Sequence, residues 1–117
     1  MRILLVLLVA CSGPHKPSDE LEVTTKPGEN QQVLLGYPYN EAGIEAMRRG
    51  QYAEATRKFG TAVATVPEPA YFFNLCLSLY YEGRHDDALK ACTAVDASNP
   101  RIKKKAERWI ERIRSQH

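Results

Sequence analysis

Apolar positions recur with a helical period through most of the chain. Tyr39, Ala42, Gly43 and Ala46 fall at i, i+3, i+4 and i+7, as do Phe72, Leu75, Cys76 and Leu79. That spacing gathers small and apolar groups on one side of an α-helix. Ile102, Ala106, Trp109, Ile110 and Ile113 form a further stripe near the C-terminus, with Lys and Arg mostly on its other side. Gly50 and Gly83 stand where a helix end calls for a left-handed residue. Pro38, Pro69 and Pro100 stand at helix starts, where the missing N–H costs nothing. The pattern predicts an all-α fold with helices at about 38–49, 52–66, 70–82, 86–97 and 101–115. Two segments lie ahead of them. Residues 3–9 are an unbroken apolar run, and residues 12–35 hold Pro14, Pro17, Pro27, Gly13 and Gly28 among polar residues with no period. The second reads as a tether, its Val33-Leu34-Leu35 cluster either free or folded back onto the first helix.

The helical part repeats itself. Gly50 recurs as Gly83, Ala55 as Ala88, Phe59 as Cys92, Ala62 as Val95 and Pro67 as Pro100, each pair 33 residues apart. Each unit is two amphipathic helices around a glycine turn. The residues resemble the tetratricopeptide repeat. Tyr39 and Phe72 stand for its large aromatic, Gly43 fills its close-contact site, and Ala55 and Ala88 fill the small site of the second helix. Phe59 is that helix's aromatic, and Pro67 and Pro100 close the units. Ala42, Ala46, Cys76 and Cys92 depart from the pattern, standing where the family has Leu, Tyr, Gly and Phe. The resemblance implies two helical hairpins, about 36–68 and 69–101, closed by a capping helix at 101–115, as a fragment of a right-handed α-superhelix. Each repeat hides its apolar face only against the next, so the last needs such a cap.

In that family the first helices line a groove that takes an extended peptide or a partner helix. The groove residues expected here are Asn40, Ile44, Met47 and Arg48 from the first unit and Phe73, Asn74, Leu77, Tyr80 and Tyr81 from the second. Some of these, Leu77 and Tyr80 among them, have interhelical packing as their alternative. Peptide-binding members also carry an Asn, Lys and Arg clamp for a C-terminal carboxylate, which Asn74, Lys104 and Arg108 match. Asn40 and Ile44 depart from the clamp's first half.

Composition narrows the function. A chain of 117 residues with 44% hydrophobic residues, 26% charged residues and a net charge of +2 is one small domain, not a polyelectrolyte or a multi-pass membrane protein. The charge divides into −3 over residues 1–100 and +5 over 101–117. The basic helix is then either a solvated cap or a surface for anionic lipid heads or an acidic partner. No phosphate loop, HExxH, GxSxG or CxxC is present. His15, His85 and His117 fall on the tether, a turn and the terminus. The expectation is a non-enzyme with no cofactor and no metal site.

Three cysteines leave one unpaired. Cys11 follows Arg2, the apolar run and a small residue, and Leu8-Val9-Ala10-Cys11 resembles the bacterial lipobox. An eight-residue apolar helix is about 12 Å long, far short of a bilayer span of about 30 Å. The resemblance implies a signal peptide at 1–10, an acylated Cys11, a lipidated tether over 11–35 and the repeat domain over 36–117. Ser12 after the cysteine implies outer-membrane delivery, facing the periplasm, if the envelope is Gram-negative. Cys76 lies seven residues before Gly83 and Cys92 nine after it, so antiparallel helices put them at similar depth, as a disulfide or as two buried thiols. The function expected is a membrane-anchored adaptor or assembly factor that binds protein in the cell envelope. The alternative is a structural accessory subunit of an envelope complex with no free peptide-binding role. Partners are a protein or peptide and the membrane, not nucleic acid, with self-association as one way to complete a short surface.

Overall fold

A computed structural model of the chain describes residues 17–24 and 31–116. The fold is all-α: the described residues form five α-helices and no strand. They are α1 (Gln31–Arg48), α2 (Tyr52–Thr65), α3 (Pro69–Tyr81), α4 (His85–Thr93) and α5 (Pro100–Arg114). A short 3₁₀ turn, Pro17–Glu20, precedes them. None of the helices is long and apolar enough to cross a membrane, among the described residues. The expected signal segment and Cys11 lie outside the described residues.

The turns follow from their glycines. Gly50 (φ 74°) and Gly83 (φ 89°) take the left-handed conformation. Behind each, the next residue closes a six-residue ring onto the ending helix: Gln51 N–H donates to Ala46 C=O and Arg84 N–H to Leu79 C=O, both at 2.9 Å. Pro69 and Pro100 occupy the first turns of α3 and α5. At α5 the Asn99 side chain accepts from Ile102 N–H at 3.2 Å, satisfying one open donor of the first turn.

Consecutive helices pack on one another, and α3 also touches α1 and α5. The core runs through all of them, from Ile44, Met47 and Phe59 through Tyr71, Phe73 and Leu77 to Trp109 and Ile113. Within the α1–α2 pair the backbone at Gly43 lies against the Phe59 ring, so close that a Cβ there would sit 2.4 Å from Cε1. At the corresponding places 33 residues on, Cys76 and Cys92 are joined as a disulfide, with Cα atoms 5.2 Å apart.

Two boundaries differ from expectation. The first helix starts at Gln31, not 38, and carries Pro38 inside it. Residues 31–35 are therefore helix rather than tether. Tertiary packing outweighs the helix bond that Pro38 cannot make: the turn at Gly36 is pressed between Tyr71 and Val66. Conversely, α4 ends at Thr93 instead of running to 97. The Asp96 carboxylate accepts from Ser98 N–H at 2.9 Å, a local turn that competes with helix. Asn99 then precedes Pro100, a position that disfavours helical backbone.

Candidate functional site

The face made by α1, α3 and α5 is already occupied. Residues Leu21–Thr24, in the segment expected to be a featureless tether, lie across it as a strap without helical structure. Leu21 is 6% exposed and belongs to the same buried cluster as Ile44, Phe73 and Leu77. Glu22 is 8% exposed, whereas Val23 on the other side of the strap is 61% exposed. Two neighbouring side chains are thus buried, and the strap turns outward at Val23.

The grip on Glu22 has two parts. The first reads its backbone. Glu22 N–H donates to Asn74 Oδ1 at 2.7 Å, and Asn74 Nδ2 donates back to Glu22 C=O at 2.9 Å. A primary amide thus pairs with both polar groups of one residue, as a neighbouring strand would, and independently of side-chain identity. Asn74 Nδ2 also donates to Asn40 Oδ1 at 2.8 Å, and Asn40 Nδ2 reaches Glu22 C=O at 3.5 Å. Both asparagines are fully buried, so their hydrogen bonds are an obligation of the fold as much as a recognition device.

The second part reads the side chain. Arg101 pairs with the Glu22 carboxylate through two bonds, Nη2 to Oε1 at 2.7 Å and Nη1 to Oε2 at 3.1 Å. Lys105, one turn further along α5, donates to Oε2 at 2.7 Å and to Glu20 C=O at 3.0 Å. Its ammonium also lies 4.8 Å from the centre of the Phe73 ring. Arg112 approaches the Glu20 carboxylate at 4.0 Å. Burial pushes the Glu22 carboxyl upward, but the hydrogen bonds and charges of Arg101 and Lys105 outweigh it and hold the group below its ordinary value of 4.5. A carboxylate held by two cations is a recognition element whose charge-assisted hydrogen bonds a neutral side chain cannot match.

The groove residues expected from the sequence divide accordingly. Asn40 and Asn74 hold the strap. Ile44, Met47, Phe73 and Leu77 are at most 2% exposed and form its apolar floor within the core, so they are not an open surface. Arg48 is exposed and pairs with Glu45 at 3.5 Å, away from the strap. Tyr80 and Tyr81 are half-buried in an aromatic cluster: Tyr80 stacks on His85 at 5.0 Å and meets Trp109 edge-on at 5.2 Å, while Tyr81 packs with Tyr52 at 5.8 Å. Tyr39, matched to the large aromatic of the first unit, is 40% exposed.

Of the three residues expected as a clamp, Asn74 meets the strap and Lys104 and Arg108 do not. Lys104 and Arg108 are exposed on the solvent side of α5, and Arg101 and Lys105 face the strap instead. One residue is a rotation of 100° about a helix, enough to carry a side chain off the contact side. Leu21, Glu22, Arg101 and Lys105 were missing from the sequence reading. The visible signal for them was charge: Asp19, Glu20 and Glu22 on the tether complement the +5 of the last helix.

A cleft of about 370 Å³ continues from the strap between the starts of α3 and α5, bordered by Val23, Thr24, Glu68, Asn99 and Arg101. No group of His, Cys, Asp and Glu able to hold a metal ion occurs among the described residues. No known family model, curated protein or solved structure matches the chain.

Proposed function

We propose that the chain is a membrane-anchored tetratricopeptide adaptor of the bacterial cell envelope, whose α1–α3–α5 face binds an extended segment of protein. Two hairpins of 33-residue spacing, each ended by a left-handed glycine, support the repeat reading, with α5 as the cap. The observation that carries the binding reading is the paired grip of Asn74 on both backbone groups of Glu22. Such a device is made for holding extended chain, and it spans the first helices that line the groove in the repeat family. The anchor rests on the lipobox-like Leu8-Val9-Ala10-Cys11. Acylation with more than one chain gives stable attachment. The protein would then face the periplasm from the outer membrane of a Gram-negative envelope.

A photo-crosslinking residue at Val23, on the strap's exposed side, and another at Ala53, exposed on α2, test the binding reading in intact cells. Adducts from position 23 alone support it; adducts from neither position, or only from 53, overturn it. Metabolic labelling with palmitate tests the anchor. Label should be present in the wild type and lost in Cys11→Ser, and an unlabelled wild type overturns it. A second reading, a structural subunit held permanently in an envelope complex, is favoured by the strap itself, which fills the face. It predicts a partner that survives high-salt extraction, where an adaptor releases one.

A further inference from the structure

The strap contributes two distinct recognition features, an apolar side chain on the floor and a glutamate between Arg101 and Lys105. The chain runs on through Val23 and Thr24 beyond the glutamate, past an open cleft. The site is therefore built for a glutamate inside a segment, not for a free C-terminus. We infer that this face selects an extended acidic peptide carrying an apolar–glutamate pair, and that Leu21-Glu22 is a resident copy which a partner's segment must displace. The inference rests on the adaptor reading and names the partner chemistry of that same face.

Three observations favour exchange over a permanent strap. First, the strap is short, and only Leu21 and Glu22 are buried in it. Second, half of its hold is ionic and borders solvent, with the Arg101 side chain 66% exposed. Third, the backbone hold on Glu22 is indifferent to sequence, so any extended chain can replace it. The resident copy sets a threshold. It is part of the same chain as the face, and an intramolecular segment joined through few residues has an effective concentration of about millimolar. A free peptide with the same contacts cannot compete at micromolar concentration. A partner needs additional contacts, for which the cleft beside Val23 offers room.

The test uses the full chain in detergent and a fluorescent, acetylated and amidated octapeptide of residues 17–24, followed by anisotropy. The opened chain carries Leu21→Ser with Glu22→Ala. It is expected to bind the peptide at least tenfold more tightly than the wild type. Replacing the peptide's second glutamate, the counterpart of Glu22, by glutamine should remove that binding, as should adding Arg101→Ala and Lys105→Ala to the opened chain. Glu22→Gln, nearly isosteric, serves if the opened chain loses its helical circular dichroism, and the same order is expected at smaller amplitude. Equal binding by wild-type and opened chains overturns the inference, as does equal binding of the glutamine peptide. A wild-type dimer by light scattering, dissociated by Glu22→Ala, also overturns it by placing the strap on a second copy. If peptide exchange fails while adducts form at position 23, the adaptor reading stands and the resident-competitor inference falls. Exchange without adducts shows that the face takes an acidic segment in vitro but overturns the adaptor reading, and with it the partner role of that segment.

Discussion

Gly43 and Gly60 both lie inside helices, so intrinsic propensity predicts that alanine stabilises each by up to about 1 kcal/mol. Packing separates them. A Cβ on Gly60 meets nothing within 4 Å, whereas one on Gly43 comes within 2.4 Å of Cε1 and 2.5 Å of Cδ1 of Phe59. Phe59 is 0% exposed, so the ring can retreat only into a filled core. Overpacking of this kind costs about 1–3 kcal/mol. Gly43→Ala is thus expected to lose up to about 2 kcal/mol net, and Gly60→Ala to gain up to about 1. In a domain of this size each kcal/mol moves Tm by about 4–8 °C, which separates the two variants by up to about 12–24 °C. Urea melts with an unchanged m value give the free energies directly. Phe59→Leu replaces the ring by a smaller branched chain, and in that background Gly43→Ala should cost less. Equal stability of the two alanine variants, or an unchanged cost beside Leu at position 59, refutes the steric account.

Further outcomes follow from other contacts. Because the folded value of Glu22 lies below 4.5, its stabilisation is complete above that pH and is lost as pH falls through the folded value. Protection of the 17–24 segment in hydrogen exchange should therefore fall in acid in the wild type and be flat with pH in Glu22→Gln; acid-insensitive protection in the wild type contradicts it. Reducing the Cys76–Cys92 bridge, which spans a sequence separation of 16, should cost about 3 kcal/mol in the chain-entropy model. A urea midpoint indifferent to reductant contradicts that. Asn99→Ala should lower stability by about 0.5–2 kcal/mol through the lost cap, with Asn99→Asp near neutral by thermal melting. Reversing Arg101 and Lys105 to Glu should speed cleavage at Glu20 and Glu22 by a glutamate-specific protease, and reversing Lys104 and Arg108 should not.

Local chemistry made the helices readable. Gly50 and Gly83 announce helix ends through the conformation only glycine takes easily. The similar offsets of Cys76 and Cys92 from Gly83 carry them to the same depth in one antiparallel pair. Pro38 misled because the packing that holds α1 together through it comes from Tyr71 and Val66, outside that helix. The occupied face was hidden for the same reason at longer range. Its contacts to α3 and α5 join residues 52 to 85 positions apart, and no window along the chain contains both partners. The cationic pair was hidden because four Lys and Arg crowd residues 101–105, and which of them meets the strap depends on how α5 is rotated against it.

The strap also changes how the molecule comes apart. A row of helices that touch chiefly their neighbours can fray from either end, one hairpin at a time. Here Glu20 and Glu22, ahead of the first helix, are held by Arg101 and Lys105 of the last, 79 to 85 residues away. Opening α5 must release the strap, and releasing the strap uncovers the floor beneath Leu21. The first and last elements therefore open as one cooperative unit. The ionic half of the strap's hold can form only when the last helix is in place, although the strap precedes every helix in the chain.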